Sequence, residues 1–239
     1  DPVAHRVARD TGSQWRALTL PGHAGRPCPA AWQGALDQLA AELPSDQPSS
    51  LVVGYSLGAR AVLGLCARGV VARALLISGR AGMDDSERAA RRAADRAWAE
   101  RFERASRSGG GAELEAVLSD WRRQPVLKSR LADSDPELHR RHALRATHQG
   151  DQLAQAMRAL SVAEMPDYRP ALPQLAPRLH WVVGADDHSY VAHAESLRAA
   201  VAALPISVVP HSGHDPTLDA PESLAALIAA EFVRTSAGA

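Results

Sequence analysis

Short apolar runs alternate along this chain with alanine-rich stretches of helical spacing, and each run ends in a turn. The alternation is typical of βαβ units and predicts a mostly parallel sheet flanked by helices. Because the carboxyl ends of parallel strands share one edge of a sheet, the residues that follow each run are expected to meet there. The predicted strands cover residues 15–20, 50–53, 72–78, 179–183 and 206–209, and the predicted helices cover residues 30–42, 57–68, 188–203 and 221–233.

The length of the chain, 239 residues, suits a single α/β domain. The alternation of strands and helices stops between residues 83 and 177, where the sequence shows no convincing strand. We therefore predict one domain over residues 1–239, with a helical insertion at about residues 83–177 that acts as a lid.

Charge and composition exclude several classes of partner. The 27 basic residues balance the 27 acidic ones, so no basic excess points to nucleic acid or a membrane surface. No apolar stretch approaches the roughly 20 residues that span a bilayer, and the first residues do not resemble a signal peptide. Cys28 and Cys66 lack metal-ligand spacing, so neither a metal nor a cofactor is indicated. The sequence predicts a cytoplasmic protein that binds a small molecule, and it leaves the oligomeric state open.

Residues 52–60, VVGYSLGAR, place a G-x-S-x-G turn between a strand and a helix. A serine hydroxyl becomes a useful nucleophile or base only when a histidine takes its proton and a carboxylate orients that histidine. In this strand–turn–helix context the motif favours Ser56 as the reactive residue, and we expect the flanking glycines to be required by close packing. A tight structural turn without chemistry is the alternative.

Two later turns supply candidate partners for Ser56. The run WVVGADD ends a predicted strand in two carboxylates, Asp186 and Asp187, of which one is needed; a surface helix cap is the alternative role. The run VPHSGH carries His214, which we expect to be the base, and His211, which we expect to be a loop residue. His23, in LPGHAG, is expected to be structural.

The motifs GYSLGAR, LPGHAG, a late G-x-x-D and a terminal SGH together resemble the α/β-hydrolase superfamily over nearly the whole chain. Three stretches of the insertion narrow the resemblance: SERAARRAADRAW at residues 86–98, DW with QPV at residues 120–126, and ALR at residues 143–145. These resemble the 2-succinyl-6-hydroxy-2,4-cyclohexadiene-1-carboxylate synthases, the MenH lyases of menaquinone biosynthesis. The family's spacing after the strand glycine favours Asp187 as the acid, with Asp186 second.

The substrate of that family is a cyclohexene with a ring carboxylate, a succinyl group and an enolpyruvyl ether. Guanidinium groups suit three carboxylates because they pair with them in a bidentate way. The resemblance implies that Arg60, Arg91 and Arg145 bind these carboxylates, and that Tyr55 and Trp121 line the pocket.

The position of Arg91 on its predicted helix supports such a role independently. Arg91 shares an apolar stripe with Trp98 and Phe102 that should face the body of the protein. A salt bridge to Asp95, one turn further along the same helix, is the alternative for this arginine. Arg145 lies on a less pronounced apolar stripe of its own predicted helix. A role on the protein surface is therefore a stronger alternative for Arg145 than for Arg91.

The implied reaction is an elimination that releases pyruvate, and it needs donors for a developing oxyanion. The backbone N–H of Leu57 is the first expected donor. In the family the second comes from a His-Gly-Phe loop after an N-terminal strand, and this sequence shows neither. We expect those first strands and that loop to be missing from the sequence.

Two other functions fit parts of the same pattern. The Ser-His-Asp set suits a serine hydrolase acting on an ester, a thioester or a carbon–carbon bond equally well. An inactive binding protein on the same fold would explain the missing donor loop, but it would not need all three triad residues.

Overall fold

The computed structural model describes residues 2–44, 50–109 and 111–236. Within these residues a parallel sheet of four strands runs in the order β1-β2-β3-β4. The strands are β1 Leu51–Tyr55, β2 Arg73–Ile77, β3 Leu179–Gly184 and β4 Ile206–Val209. Helices cover both faces of the sheet, so the predicted fold class is confirmed.

The four helices with predicted bounds, at residues 30–42, 57–68, 188–203 and 221–233, are present within three residues of those bounds, whereas the helices at residues 2–11 and 216–219 were not expected. The α-helices of the described residues are numbered in chain order. They are α1 Pro2–Thr11, α2 Trp32–Ala40, α3 Leu57–Ala67, α4 Asp85–Arg107, α5 Ala112–Arg122, α6 Pro136–Ala146, α7 Gly150–Ala159, α8 Leu172–Leu175, α9 His188–Ala200, α10 Pro216–Asp219 and α11 Pro221–Ser236.

Each buried strand contributes side chains to two cores, because successive residues of a strand point to opposite faces. Trp181 and Val183 of β3 enter the larger core, which α2, α3 and α9 cover. Val182 enters the smaller core on the opposite face, where it meets Val3 and Val7 of α1 together with residues of α11. The sheet is therefore held between two apolar layers, and its carboxyl edge is left for the connecting loops.

The strand predicted at residues 15–20 is wrong. Leu18 and Leu20 do pack against the larger core, which explains their apolar character. Trp15, however, is 39% exposed, and no strand in the described ranges pairs with this segment. The guanidinium of Arg16 instead donates to the backbone carbonyl of Glu42, just after α2. Partial burial along the surface produces the same alternation as a strand without supplying a ladder of hydrogen bonds.

The segment between β2 and β3 is helical in its described residues. Phe102 of α4, Leu118 of α5 and Leu153 of α7 belong to an apolar cluster separate from the two cores of the sheet. A segment with its own small core can form a unit above the sheet edge. Its action as a lid stays a prediction.

The insertion is joined to the body through the turn around residues 22–28. The N–H of Ala24 donates to Nδ1 of His148 at 3.1 Å, and the N–H of Cys28 donates to Oε1 of Gln152 at 2.9 Å. The ring of His148 lies edge-on to that of His23, with centroids 5.2 Å apart. Because Nδ1 of His148 accepts a hydrogen bond, this contact requires an unprotonated imidazole.

We expect the free energy of unfolding to decrease as the pH falls from about 6.5 to 4, and His148 to contribute to that decrease. Burial, followed by the neighbouring His23 and Arg145, lowers the pKa of His148 to about 4. In the unfolded chain the pKa of a histidine is about 6.5, so between these values the unfolded state binds more protons and is favoured. In urea unfolding at pH 7, 6 and 5, His148→Asn should lose less stability with falling pH than the wild type. An identical pH dependence in both proteins would contradict this assignment.

Candidate active site

Ser56 occupies the sharp turn between β1 and α3. Its backbone angles, φ 49° and ψ −109°, lie in a region that costs energy for a residue with a Cβ atom. The turn is held by the N–H of Ser56, which donates to the carbonyl of Ile77 on β2 at 2.8 Å. A Cβ atom at Gly54 would lie 2.6 Å from the carbonyl group of Gly58, so only glycine fits at that position. A Cβ atom at Gly58 would meet open space, so the expected packing reason is wrong for that second glycine.

The structure brings Ser56, His214 and Asp187 together at the carboxyl edge of the sheet. Oγ of Ser56 lies 3.0 Å from Nε2 of His214, and Nδ1 of His214 lies 2.7 Å from Oδ2 of Asp187. The side chains of His214 and Asp187 are only 4% and 9% exposed. With an ionised Asp187 the proton of the neutral ring belongs on Nδ1, which leaves Nε2 to accept a hydrogen bond from the serine hydroxyl. The arrangement can therefore draw a proton from Ser56.

The two adjacent carboxylates have different surroundings. Asp187 holds His214 through one oxygen, and its other oxygen accepts a hydrogen bond from the N–H of Tyr190 at the start of α9. The carboxylate therefore makes the contacts expected for both roles considered for this residue, triad acid and helix cap. Asp186 is exposed and pairs with Arg130 of the insertion, outside hydrogen-bonding contact with the triad.

The loop that carries His214 is fixed by contacts with its backbone. The N–H of Asp186 donates to the carbonyl of Ser212 at 2.9 Å, and the N–H of Gly213 donates to Oδ2 of Asp219 at 2.9 Å. A Cβ atom at Gly184, the last residue of β3, would lie 2.0 Å from the carbonyl oxygen of Gly213. The loop therefore packs directly against the end of β3.

The other histidines considered from the sequence lie outside the triad. His211 is exposed, with a positive φ of 54°, as suits a loop residue. Nδ1 of His23 lies 3.0 Å from the carbonyl oxygen of Pro21 within its own turn. The exposure of His211 and the local contact of His23 match the structural roles expected for these residues.

Tyr55, Trp121 and Arg145 form a group beside the triad. The ring of Tyr55 lies 5.7 Å from that of His214. The pKa of Tyr55 is raised well above its usual value, by burial first and by the charge of Asp215 second, while Arg145 acts in the opposite direction. The guanidinium carbon of Arg145 lies 6.0 Å from the ring centroid of Trp121. Burial lowers the pKa of Arg145, and the charges of Tyr55 and Asp215 oppose that effect.

Arg60 lies one turn into α3, close behind Ser56. Its Nη1 donates to the carbonyl of Leu160 at 2.9 Å, and its guanidinium carbon lies 5.7 Å from the ring centroid of Trp32. Burial, the largest cause, lowers the pKa of Arg60 to about 10. Among the described residues no carboxylate lies within 4.0 Å of this guanidinium. Its positive charge is therefore partly buried with no carboxylate of the described chain in direct contact, and the charge of Asp95 favours it only from further away. Such burial of a charge costs energy in the absence of a ligand.

Arg91 differs from Arg60 and Arg145, because it has an acidic partner. Nε of Arg91 lies 2.8 Å from Oδ2 of Asp95 on the same helix, which is the salt bridge considered as the alternative role. Asp95 is buried and also accepts a hydrogen bond from the hydroxyl of Ser161. The side chain of Arg91 is 46% exposed, yet its charge contributes to lowering the pKa of Arg60. The two arginines are therefore neighbours across the site.

Leu57, the expected oxyanion donor, is the first residue of α3. The N–H groups of the first turn of a helix have no acceptor within the helix, and they lie at the positive end of its dipole. The N–H of Leu57 is therefore suited to donate to a charge that forms beside Ser56.

Sequence reasoning missed several residues that support the site. The ring of Tyr190 lies 4.5 Å from that of His214, and Asp219 anchors the loop before it. Arg141 of α6 pairs with Asp215, the residue after His214. The adjacency of Asp215 to His214 was visible in the sequence, but its partner 74 positions earlier was not.

The described part of the chain contains no cluster of three or more His, Cys, Asp or Glu side chains that could hold a metal ion. None of its helices is long and apolar enough to cross a membrane.

Comparison with known proteins supports the same scaffold. The model of the Alpha/beta hydrolase family matches residues 2–227. The solved structure of MenH from S. aureus superposes with a TM-score of 0.78 at 20% identity, covering 97% of this chain and 88% of that one. A thermophilic esterase from Thermogutta terrifontis gives a TM-score of 0.72 at 19% identity, with coverage of 98% and 85%. At such identities these two likenesses establish the fold alone.

Relatives with higher sequence identity show to which family of α/β hydrolases the chain belongs. The 2-succinyl-6-hydroxy-2,4-cyclohexadiene-1-carboxylate synthase of Klebsiella pneumoniae subsp. pneumoniae is 33% identical over 218 residues, which are 89% of this chain and 81% of that protein. The synthase of the same name from Serratia proteamaculans is 31% identical over 234 residues, with coverage of 92% and 84%. The chain therefore belongs to the 2-succinyl-6-hydroxy-2,4-cyclohexadiene-1-carboxylate synthase family of α/β hydrolases.

Proposed function

We propose that this protein is a lyase of menaquinone biosynthesis. It eliminates pyruvate from 2-succinyl-5-enolpyruvyl-6-hydroxy-3-cyclohexene-1-carboxylate and leaves 2-succinyl-6-hydroxy-2,4-cyclohexadiene-1-carboxylate. Family membership supports the reaction. The structural observation that carries the proposal is that Arg60 and Arg145, two largely buried arginines beside the triad, have no carboxylate partner in the described residues. A substrate with several carboxylates would supply the missing anions.

The triad performs the proton transfer in this proposal. His214, oriented by Asp187, draws the proton from the hydroxyl of Ser56. The serine oxygen then removes the proton next to the ketone of the succinyl group, and negative charge develops on the ketone oxygen. The N–H of Leu57 at the start of α3 donates to that oxygen. Cleavage of the bond between the ring carbon and the ether oxygen expels the enolate of pyruvate, and the ring becomes a conjugated diene. The proton that His214 took from Ser56 is returned to the methylene carbon of that enolate, directly or through water, which gives pyruvate, while Ser56 retains the proton removed from the ring.

The arginines hold the substrate while this happens. Arg60 and Arg145 each offer N–H groups that no carboxylate of the described residues contacts, so each can receive one substrate carboxylate. Arg91 is the third proposed contact with the substrate. To bind a carboxylate of the substrate, its guanidinium either contacts Asp95 and the substrate at once or breaks its salt bridge with Asp95. Tyr55 and Trp121 form the remaining wall.

The helical insertion acts as a lid in this proposal, because α4 and α6 carry Arg91 and Arg145 above the sheet edge that carries Ser56. Covering the site would exclude water and strengthen the ionic contacts with the substrate. The proposed steps need no metal or cofactor, because the triad and the arginines supply the proton transfer and the charge. A polycarboxylate substrate does not cross membranes unaided, which favours a cytoplasmic location for the protein.

One assay tests the reaction. The purified protein is incubated with the enolpyruvyl substrate, freshly made by the enzyme of the preceding step, and pyruvate release is followed with lactate dehydrogenase and NADH. A nitrophenyl ester is tested in parallel. Release of pyruvate is the expected result. Turnover of the ester alone would identify a serine hydrolase, and inactivity in both assays would favour a binding protein.

Arg60→Ala should lower kcat/KM for pyruvate release by about 100-fold, because it removes a charge-assisted contact in a buried site. The fold should remain intact, since the losses are one hydrogen bond to the carbonyl of Leu160 and one contact with the ring of Trp32, and a costly partly buried charge is removed as well. Arg68→Ala is the matched control, because this exposed arginine ends the same helix and pairs with Asp37 on the surface. Circular dichroism of Arg60→Ala completes the test. Loss of the folded state would show that Arg60 is structural.

A further inference from the structure

Asp215 places a negative charge within reach of the proposed substrate pocket. It follows His214 directly, and its side chain is only 13% exposed. Its charge acts on the hydroxyl of Tyr55 and on the guanidinium of Arg145. A carboxylate in this place would repel an anionic substrate and attract Arg145, unless another cation compensates it.

Arg141 supplies that cation from α6. Its Nη1 lies 3.1 Å from Oδ2 of Asp215, and its Nη2 donates to the hydroxyl of Thr217 at 2.8 Å. Its Nε lies 3.2 Å from Oε1 of Glu137 one turn earlier. Three described side chains, those of Asp215, Thr217 and Glu137, therefore hold the guanidinium of Arg141. The side chain of Arg141 is only 17% exposed.

The other oxygen of Asp215 is also occupied. Oδ1 accepts a hydrogen bond from the N–H of Thr217 at 3.1 Å and caps α10. Arg145 lies one turn after Arg141 on the same face of α6, yet no carboxylate of the described chain lies within 4.0 Å of it. The cap and Arg141 together keep Asp215 away from Arg145.

We infer that Arg141 is a positioning residue that neutralises Asp215, so that Arg145 stays available for a carboxylate of the substrate. The inference rests on the proposed function for the identity of that substrate. Without Arg141, the carboxylate of Asp215 turns to Arg145, because an unpaired charge in a partly buried place gains most from the nearest opposite charge. The substrate then has to compete with an internal anion for the same guanidinium.

Four variants test this relation: Arg141→Ala, Asp215→Asn, the double variant, and Arg140→Ala as the control. Arg140 is the neighbouring arginine of α6, and it pairs with Glu137 but not with Asp215. Arg141→Ala should raise KM about tenfold with a smaller change in kcat, as expected for coupling within one charged network. The double variant should return KM to within about twofold of the wild type, since Asp215→Asn keeps an oxygen that caps α10 but removes the charge that competes for Arg145. Arg140→Ala should leave KM unchanged.

The double variant separates this role from simple structural damage. A structural loss caused by Arg141→Ala would not be repaired by removing a second charge. An unchanged KM in Arg141→Ala, or a double variant no better than the single one, would overturn the inference. Should Arg141→Ala fail to fold, Arg141→Gln removes the charge and retains side-chain N–H donors, and the same restoration by Asp215→Asn is required of it.

Binding of tricarballylate, a stable tricarboxylate, gives a second readout by calorimetry that does not depend on pyruvate release. The affinity should fall in Arg141→Ala and recover in the double variant. If the wild type binds tricarballylate in this pattern but releases no pyruvate, the proposed reaction is wrong and the role of Arg141 stands. A wild type that releases pyruvate while the variants bind tricarballylate equally well would leave the reaction standing and overturn the inference.

Discussion

Asp187→Asn should lower kcat for pyruvate release by about 10⁴-fold without unfolding the protein, the loss found when a triad aspartate becomes an amide. The carboxylate of Asp187 accepts the Nδ1 proton of His214 at 2.7 Å. An amide nitrogen in that place donates to Nδ1 instead, so the ring proton moves to Nε2, and the histidine can no longer accept the proton of Ser56. The chemical step therefore fails although the three side chains keep their positions.

Asp186→Asn is the matched control for that variant, because it makes the same chemical change one residue away. Asp186 is exposed and pairs with Arg130, so its loss should leave kcat within about twofold, as for most surface ion pairs. The oxygen of an asparagine at position 187 can still cap α9, so the melting temperature should change little. Single-turnover pyruvate release and thermal melts measure the two effects. Equal losses of activity in both variants would show that Asp187 has no special role.

Gly184→Ala should destabilise the protein by about 3 kcal/mol or more, at or above the upper end of ordinary overpacking in a core. A Cβ atom there would lie 2.0 Å from the carbonyl oxygen of Gly213 and 2.5 Å from that of Ser212. Both atoms belong to backbone that other hydrogen bonds hold in place, so the loop has to move as a whole. Since His214 is the next residue of that loop, activity should be lost with stability.

Gly58→Ala is the control for the glycine exchange. A Cβ atom at position 58 meets open space, and alanine is favoured over glycine within helices by up to about 1 kcal/mol. Urea unfolding followed by circular dichroism should therefore show an unchanged or slightly higher stability for Gly58→Ala. A stability of Gly184→Ala equal to that of the wild type would mean that the end of β3 and the histidine loop are not in contact.

The sequence predicted the sheet and the elbow well because both depend on local patterns. β4 has the predicted bounds, and the other three strands differ by one or two residues at their ends, where turn residues mark the carboxyl edge. Since parallel strands bring those ends together, Ser56, His214 and the pair Asp186 and Asp187 could be selected as candidates without a structure. The choice of Asp187 from that pair depended on the family resemblance. The segment at residues 15–20 shows the limit of this reasoning, because partial burial imitates the alternation of a strand.

Contacts between distant parts of the chain could not be predicted in the same way. Arg91 lies on the expected helix, but the choice between Asp95 and a ligand depends on how deeply each side chain is buried in the fold. Arg141 and Asp215 are separated by 74 positions, and nothing in either local sequence indicates that they meet. The pairing of charges is decided by tertiary packing, so the sequence could suggest which arginines matter but not which of them remain unpaired.

The double use of Asp187 has a consequence for how the chain can change over time. One oxygen of this carboxylate orients His214, and the other caps α9, whose first turn also carries the Tyr190 ring that covers the histidine. Selection for a stable protein therefore opposes the loss of a capping residue at this position even where selection for activity has ceased. In a descendant protein that no longer encounters the substrate, Ser56 would be replaced more readily than Asp187. An aspartate or asparagine at position 187 would therefore be weak evidence that such a protein is still catalytic.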